Sequence, residues 1–418
     1  MAKIAFLSLV FPPDSVSTAH IMGELALELK KLGHDVEVLT TSPHYNRDIE
    51  AEAKQPLRNF WGSILRKSDF HGISVYHILM PKKKANILAR LLSWLNFHIL
   101  SSIAGLWVLT KPDLFIVPSP PLTMGVNAWL LCLFHKSQFI YNVQELYPDY
   151  AISLGVVQKK WLIKSLYSLE SFVYTKAVAV TTIASHMAGQ LLEKGVPNSK
   201  VKVIPNFTDI DKLHPLPKEN DFSRQYQVNS KFVVSYAGNM GPGQDIDTFV
   251  SSASLLQDHP NIHFLMMGNG IWCEKLKKRI QDENLSNFTF LDYQPYSLIP
   301  QIYAASDLCL VPQLPSITHS AVPSKVYRIM ACARPVLAST APESDLASLI
   351  DKVDCGIIVE GGSHHQLAEA ILWASKKPEQ LRAMGEAGRA HVVECYSRKA
   401  ISKQYHVLAE SILKKSNH

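Results

Sequence analysis

The sequence is short of the signatures that mark several large protein classes. Its six cysteines, at 132, 273, 309, 332, 355 and 395, form no CxxC pair and no metal-type spacing. That excludes a disulfide framework and a zinc ribbon, and it points to reduced thiols in apolar segments. No HExxH, GxGxxG or P-loop pattern occurs, so neither a zincin, a dinucleotide fingerprint nor a Walker-type nucleotidase is supported. An excess of one charge is nearly absent as well: 42 Lys and Arg against 36 Asp and Glu leave a formal +6. With no basic tail or aromatic-basic repeat, no nucleic-acid partner is expected, whereas a phosphorylated ligand or an anionic membrane face is compatible.

A long uninterrupted apolar run is missing too. The N-terminal "MAKIAFLSLVFPPD" is stopped by Pro12 and Pro13 with no cleavage site behind it, and reads as a first strand rather than a secretory signal. The segment 82–110 opens with Lys82, Lys83 and Lys84 and is broken by Arg90, Asn96 and His98, which argues against a membrane span. Two readings stand. It is a basic amphipathic helix on an anionic membrane, with Trp94, Phe97 and Trp107 on its apolar sides, or it is buried helix of the first domain.

What is present is 47% hydrophobic residues over 418 positions, enough for more than one core. Residues 3–10 form an apolar run typical of a buried parallel strand. Ile21, Met22, Leu25, Leu29 and Leu32 follow at helical spacing, and Gly33 leads into a second strand. Further strands are expected at 73–79, 113–118, 138–143 and 177–183, the last followed by a helix capped by Ser185. A Pro-, Asp- and Asn-rich stretch at 200–230 separates this series from a second one at 231–237, 262–267, 287–291, 307–311, 335–339 and 356–359, with a helical tail from about 365 to 415. The pattern is α/β: two doubly wound Rossmann-like domains, 1–207 and 208–390, with a C-terminal helix at 391–418 expected to pack back on the first. Ligands in such folds sit beyond the carboxyl ends of the strands, so a cleft between the domains is the expected site.

Several loops fit that placement. In "YAGNMGPGQDID" Gly238, Gly241 and Gly243 let the backbone approach a ligand closely, and Gly268 and Gly270 of "MGNG" repeat the device after the next strand. "NVQELYPDY" sets Glu145 and Asp149 four apart after a strand, as a base or as sugar-hydroxyl ligands, although Asp149 behind Pro148 also suits a helix cap. "AVPSKVYRIMACARPV" opens a helix with Pro323, Ser324 and Lys325, and Arg328 follows one turn on. A helix start normally favours acids. With Pro323 at the first helical position and Val322 at the cap, free amides and two cations would mark an anion site. The alternative is a solvated face with Arg328 paired to Glu343 or Asp345. The triplets Asp209/Asp211 and Asp245/Asp247 lie in a hinge and at a helix start, and His364 and His365 have no acid nearby, so no metal is expected.

The ordered set "FPP…ELALELKKLGHDVEVLT", "VQELYPD", "VIPN", "YAGNMG…QDID", "MGNG", "FLDYQPYSLIPQIYAASDLCLVP" and "PSKVYRIMACARPVLA" resembles the family 4 glycosyltransferases of the GT-B fold over nearly the whole chain. Within them it is similar to the branch that builds bacterial cell-surface polysaccharides, such as the colanic acid and O-antigen fucosamine transferases. The resemblance implies retaining transfer of a hexosyl or N-acetylhexosaminyl group from a nucleotide-diphosphate sugar, a UDP-sugar by expectation. The acceptor implied is a polyprenyl-diphosphate-linked saccharide for O-antigen, capsule or exopolysaccharide, and no cofactor or metal is implied. It places the enzyme in the cytoplasm, peripheral on the inner face of the plasma membrane. Carried over by position, Gly238, Asn239, Gly241 and Gly268 approach the donor phosphates, and Ser324 and Lys325 bind the diphosphate with Arg328 beside them. Tyr293 contacts the base, while Ser17, His20 and Asn206 line the acceptor side of the cleft; Glu145, Asp149 and Lys325 are the catalytic candidates. The chain departs from the family where "GNMGPGQ" lacks an Arg and a Lys, where two glutamates read Ser320 and Arg328, and where paired glycines read Val16 and Ser17. These departures keep two alternatives open: a UDP-sugar 2-epimerase-like enzyme of the same fold, and an inactive nucleotide-sugar-binding subunit.

Overall fold

The computed structural model describes residues 1–44, 49–62, 64–80, 87–153, 155–241, 244–314 and 322–416. Lys82, Lys83, Lys84, Gly243 and Ser320, and the side chains of Arg90 and Trp94, lie outside the described residues.

Two compact units emerge, one of residues 1–205 with 401–418 and one of residues 206–400. The first is built on a nine-stranded sheet: β1 (Lys3–Leu7), β2 (Asp35–Thr41), β3 (Arg58–Trp61), β4 (Leu65–Phe70), β5 (Ile73–Ile78), β6 (Leu114–Pro118), β7 (Gln138–Val143), β8 (Ala179–Thr182) and β9 (Val201–Val203). Their order across the sheet is β3-β4-β5-β2-β1-β6-β7-β8-β9. The centre is parallel and dry because β1 after Lys3, and β6 throughout, are apolar and buried. β3 and β4 pair antiparallel at one edge, and neither they nor β9 were expected from the sequence. β3 is exposed along its whole length and β9 has three residues, so neither carries a hydrophobic signal.

The second unit carries a six-stranded parallel sheet of β10 (Phe232–Asn239), β11 (Ile262–Asn269), β12 (Phe288–Leu291), β13 (Leu308–Pro312), β14 (Val336–Thr340) and β15 (Gly356–Glu360), ordered β12-β11-β10-β13-β14-β15. Phe249, Phe264 and Phe288 interlock on one face of it with ring centroids 5.2 to 6.0 Å apart. Both units are doubly wound, as the strand and helix alternation requires.

Three local expectations change. The residue before helix Ser185–Glu193 is Ala184, so Ser185 is its first helical residue rather than its cap. The stretch 391–418 is not one helix: Pro378–Cys395 ends inside it, and Arg398–Ser416 starts anew. The helix after Pro323 begins later than expected, at Lys325 with Ser324 at the cap, because Pro323 uses its carbonyl to accept from the Val326 amide at 2.9 Å in a preceding turn. No described helix is long and apolar enough to cross a membrane.

Candidate functional site

At the carboxyl ends of β10 and β11 in the second unit, a cleft of about 370 Å³ gathers residues from four loops. The two strands run in register with Gly238 opposite Gly268, and that pairing is obligatory. A Cβ on Gly268 would stand 1.8 Å from the Gly238 carbonyl oxygen, and both glycines hold positive φ, 154° and 149°. Gly270 is constrained in the same way by Met240. The glycines of "MGNG" therefore serve strand approach first. Gly268 still lines the cleft, whereas Gly241 lies outside its lining.

Gly238 does a second thing. A Cβ there would sit 2.7 Å from Lys325 Nζ, so the missing side chain is what lets the ammonium reach the strand end. Lys325 Nζ stands 4.0 Å above the Tyr236 ring, is shut off from solvent, and has no hydrogen-bond partner among the described residues. Burial, with Arg328 adding to it, brings its pKa down to about 7. The Tyr236 hydroxyl is itself committed, donating to the Asn239 carbonyl at 2.5 Å. A buried cation without an acceptor is costly, and an anion in the cleft would relieve that cost.

The helix that delivers Lys325 is short, Lys325–Ala331, and is held from behind. Arg389 donates to the Ala331 carbonyl at 2.7 Å and to the Leu213 carbonyl at 2.9 Å, and Tyr327 stacks on Tyr396 at 4.3 Å. Val326 and Met330 fill the core beneath, so Ser324, Lys325 and Arg328 face the cleft. Arg328 lies 5.6 Å from the Tyr296 ring centroid, a cation–π contact. Tyr293, Gln294 and Tyr296 supply an aromatic and amide wall, and Asn239 completes the floor. Among the described lining residues none is acidic.

Of the donor-side residues expected from the sequence, Gly238, Asn239, Gly268, Tyr293, Ser324, Lys325 and Arg328 meet in this one cleft. Tyr236, Tyr296 and Tyr303 were missed. Tyr236 lies inside the quoted glycine motif, but its partnership with a lysine nearly ninety positions away leaves no local signal.

In the first unit, Ser17 opens helix Ser17–Lys31 behind an extended Val16 that offers no side-chain cap, and His20 stands one turn on, 3.5 Å from the Ser15 hydroxyl; both are exposed. Beside them Asp14, 2% exposed, accepts from the His44 amide at 3.1 Å, a pair not singled out in the sequence. Glu145 is exposed on the loop after β7, and partial desolvation lifts its carboxyl above the usual range. Asp149 opens helix Asp149–Ser153, accepts from the Tyr167 hydroxyl at 2.8 Å and is bridged by Lys194, which also holds Glu170 at 2.7 Å. Asn206 is half-buried at the start of the second unit. The acidic triplets are spent locally: Asp209 accepts from the Asp211 and Lys212 amides, Asp245 from Thr248 and the Gly362 amide, and Asp247 pairs with Lys275 and Arg279.

Comparison with known proteins gives the same picture twice over. Residues 18–206 match the glycosyl transferase 4-like domain and residues 218–391 match the glycosyl transferases group 1. WcaI of Escherichia coli K12, named as a colanic acid biosynthesis glycosyl transferase, is 24% identical over 389 residues, covering 90% of this chain and 93% of that one. The glycosyltransferase WbjE of Pseudomonas aeruginosa is 24% identical over 250 residues, 59% of this chain and 60% of its own. Among solved structures, Anabaena HepE in complex with UDP and glucose superposes with a TM-score of 0.71 at 16% identity, over 98% of this chain and 100% of that one. With two matched domains spanning nearly all of its length on two doubly wound sheets, the chain belongs to the family 4 glycosyltransferases of the GT-B fold.

Proposed function

We propose that the protein is a retaining glycosyltransferase that moves a sugar from a UDP-sugar to a polyprenyl-diphosphate-linked saccharide in the synthesis of a bacterial surface polysaccharide. The observation that carries the donor half is Lys325, its Nζ buried without an acceptor among the described residues against the bare face of Gly238, in a cleft with no described acidic lining. A diphosphate placed there is held by Lys325 and Ser324 with Arg328 at its flank, and the base lies against Tyr293 and Tyr296. As the sugar leaves, negative charge grows on the diphosphate, and the buried ammonium is set to meet it. The acceptor hydroxyl attacks from the donor face, assisted by the departing phosphate, with no metal in the step. Glu145 is the carboxylate assigned to the acceptor side, with Ser17, His20 and Asn206. Asp149, tied to Tyr167 and Lys194, holds the loop that carries Glu145. The names of WcaI and of the UDP-bound HepE support the polysaccharide context and the base.

The acceptor half rests on the helix Ile87–Val108. Phe97, Ser101, Ala104 and Val108 are buried along one face, which corrects the placement of Phe97 on a membrane side. Ile99, Ile103 and Trp107 stand exposed on another face, Trp107 at 75%, and Leu133 and Phe134 are exposed on the helix Thr123–His135 that packs against it. That stripe suits the interface of an anionic bilayer on the cytoplasmic side.

A panel of UDP- and GDP-sugars with a polyprenyl-diphosphate-linked acceptor, read by product on the lipid, tests the whole reading. Lipid-linked product from a UDP-sugar with retained anomeric configuration is expected. Free epimer, or binding without turnover, replaces it with an epimerase or a binding subunit. A trapped glycosyl-enzyme removes the front-face step.

A further inference from the structure

His34 is the last residue before β2, at the end of the first sheet where the parallel strands begin, away from the carboxyl-end loops that carry Ser17, His20 and Glu145. It is 4% exposed, and its amide closes the turn from helix Ser17–Lys31 by donating to the Leu29 carbonyl at 3.1 Å. Its ring Nε2 lies 2.8 Å from Nδ1 of His406. His406 and Glu410 are four apart on helix Arg398–Ser416, so they share a face of it. That helix is anchored independently: the Tyr405 hydroxyl accepts from Asn142 at 2.8 Å, and Ile401, Leu408, Ala409 and Ile412 are buried. One ligand atom from each of His34, His406 and Glu410 lies within 4.8 Å of the others, and no other trio of that kind occurs among the described residues.

Two imidazoles and a carboxylate converging from two elements are the donor set of a divalent transition metal, and unlike an acidic cluster they have no use for calcium or magnesium. The other ring nitrogen, His34 Nδ1, is shut away from solvent with only the Ala2 backbone beside it among the described residues. With zinc at its usual distance from imidazole, two tetrahedral nitrogens stand about 3.3 Å apart, so the rings need to part by about half an ångström. The proton now shared between them moves to a far ring nitrogen or to solvent. His34 also lines an open cleft of about 700 Å³. Of its three lysines, Lys30 is turned to the Gly72 carbonyl at 2.5 Å and Lys3 to the Thr110 carbonyl at 3.2 Å, while Lys111 also lines the cleft and the N-terminal ammonium acts on His34.

We propose that His34, His406 and Glu410 form a site for one zinc-class ion that staples the C-terminal helix to the start of β2. The site has no part in glycosyl transfer, and it stands whether or not the donor assignment does. Tag-free protein stripped with EDTA and titrated with ZnCl2 is expected to take up one equivalent by calorimetry and to melt several degrees higher at saturation. CoCl2 is expected to give a ligand-field absorption band, and MgCl2 and CaCl2 no change in melting. His406→Ala abolishes the zinc response and Glu410→Gln weakens binding at least tenfold, while both keep the far-UV spectrum and UDP binding of the parent. No saturable equivalent in the parent overturns the proposal, and so does zinc binding of parental strength in Glu410→Gln or its persistence in His406→Ala.

Discussion

Two lysines, one in each unit, are withdrawn from water and treated in opposite ways. Lys194 lies between Asp149 and Glu170, both of which it bonds, and the Tyr167 hydroxyl closes the network onto Asp149. Burial raises the Glu170 carboxyl, and Lys194 pulls it back toward ionisation. Among the described residues Lys325 has no carboxylate, only an aromatic face and the bare backbone of a glycine. A buried cation that is matched belongs to the scaffold, and one left unmatched at the mouth of a strand points outward in function.

The comparison breaks most readily at Lys194. Replacing it with Met leaves Glu170, whose side chain is 4% exposed, without its cation and with the Tyr174 hydroxyl still donating to it, and is expected to destabilise the first unit by about 3 kcal/mol in chemical denaturation. The carboxylate's part of that loss fades as pH falls far enough to protonate Glu170. Lys325→Ala is expected to do the reverse: thermal stability is kept or slightly raised, while turnover falls roughly ten- to a hundredfold, the worth of one charged hydrogen bond of about 1.5 to 3 kcal/mol. Normal turnover in that variant ends the anion-site assignment.

Titration sharpens the contrast. With its pKa at about 7, Lys325 loses its proton as pH rises through neutrality, so UDP binding weakens by up to about tenfold per pH unit above that point. Over the same range its contribution to the stability of the empty protein increases with pH, because the unfolded lysine keeps the proton that the folded one releases. Calorimetric UDP titrations between pH 6 and 9 check the slope, which disappears in Lys325→Ala. The smallest effect is expected at Arg328, exposed to solvent on one side and in cation–π contact with Tyr296: Arg328→Ala weakens UDP binding severalfold, and removal of the neighbouring cation moves the Lys325 titration to higher pH.

Most of the donor cleft was legible because its residues sit at the ends of strongly apolar strands, and loop position follows from strand position in a doubly wound sheet. What was not legible is instructive. The start of the lysine helix shifts from Pro323 to Lys325 because of a turn that propensity does not encode. Gly268 reads as a ligand-approach glycine in sequence, yet its first duty is the 1.8 Å clash that any Cβ would make with Gly238. Gly268→Ala is therefore expected to impair folding rather than donor affinity alone, seen as loss of the cooperative melt. Asp149 reads in the sequence as a catalytic acid or a helix cap, and its partners Lys194 and Tyr167, 45 and 18 positions away, leave no local signal.

By itself the sequence determined the two doubly wound units, the strands whose ends carry the loops, and the family, since apolar runs and motif order are written along the chain. Only the tertiary structure decided which charges are paired and which are left waiting. It set Lys325 against Tyr236 without an acid, gave Asp149 to Lys194, and brought His34 to His406 across 372 positions. The reason is physical: burial and pairing are properties of distance in space, and a side chain's charge has no meaning for function until its neighbours are known.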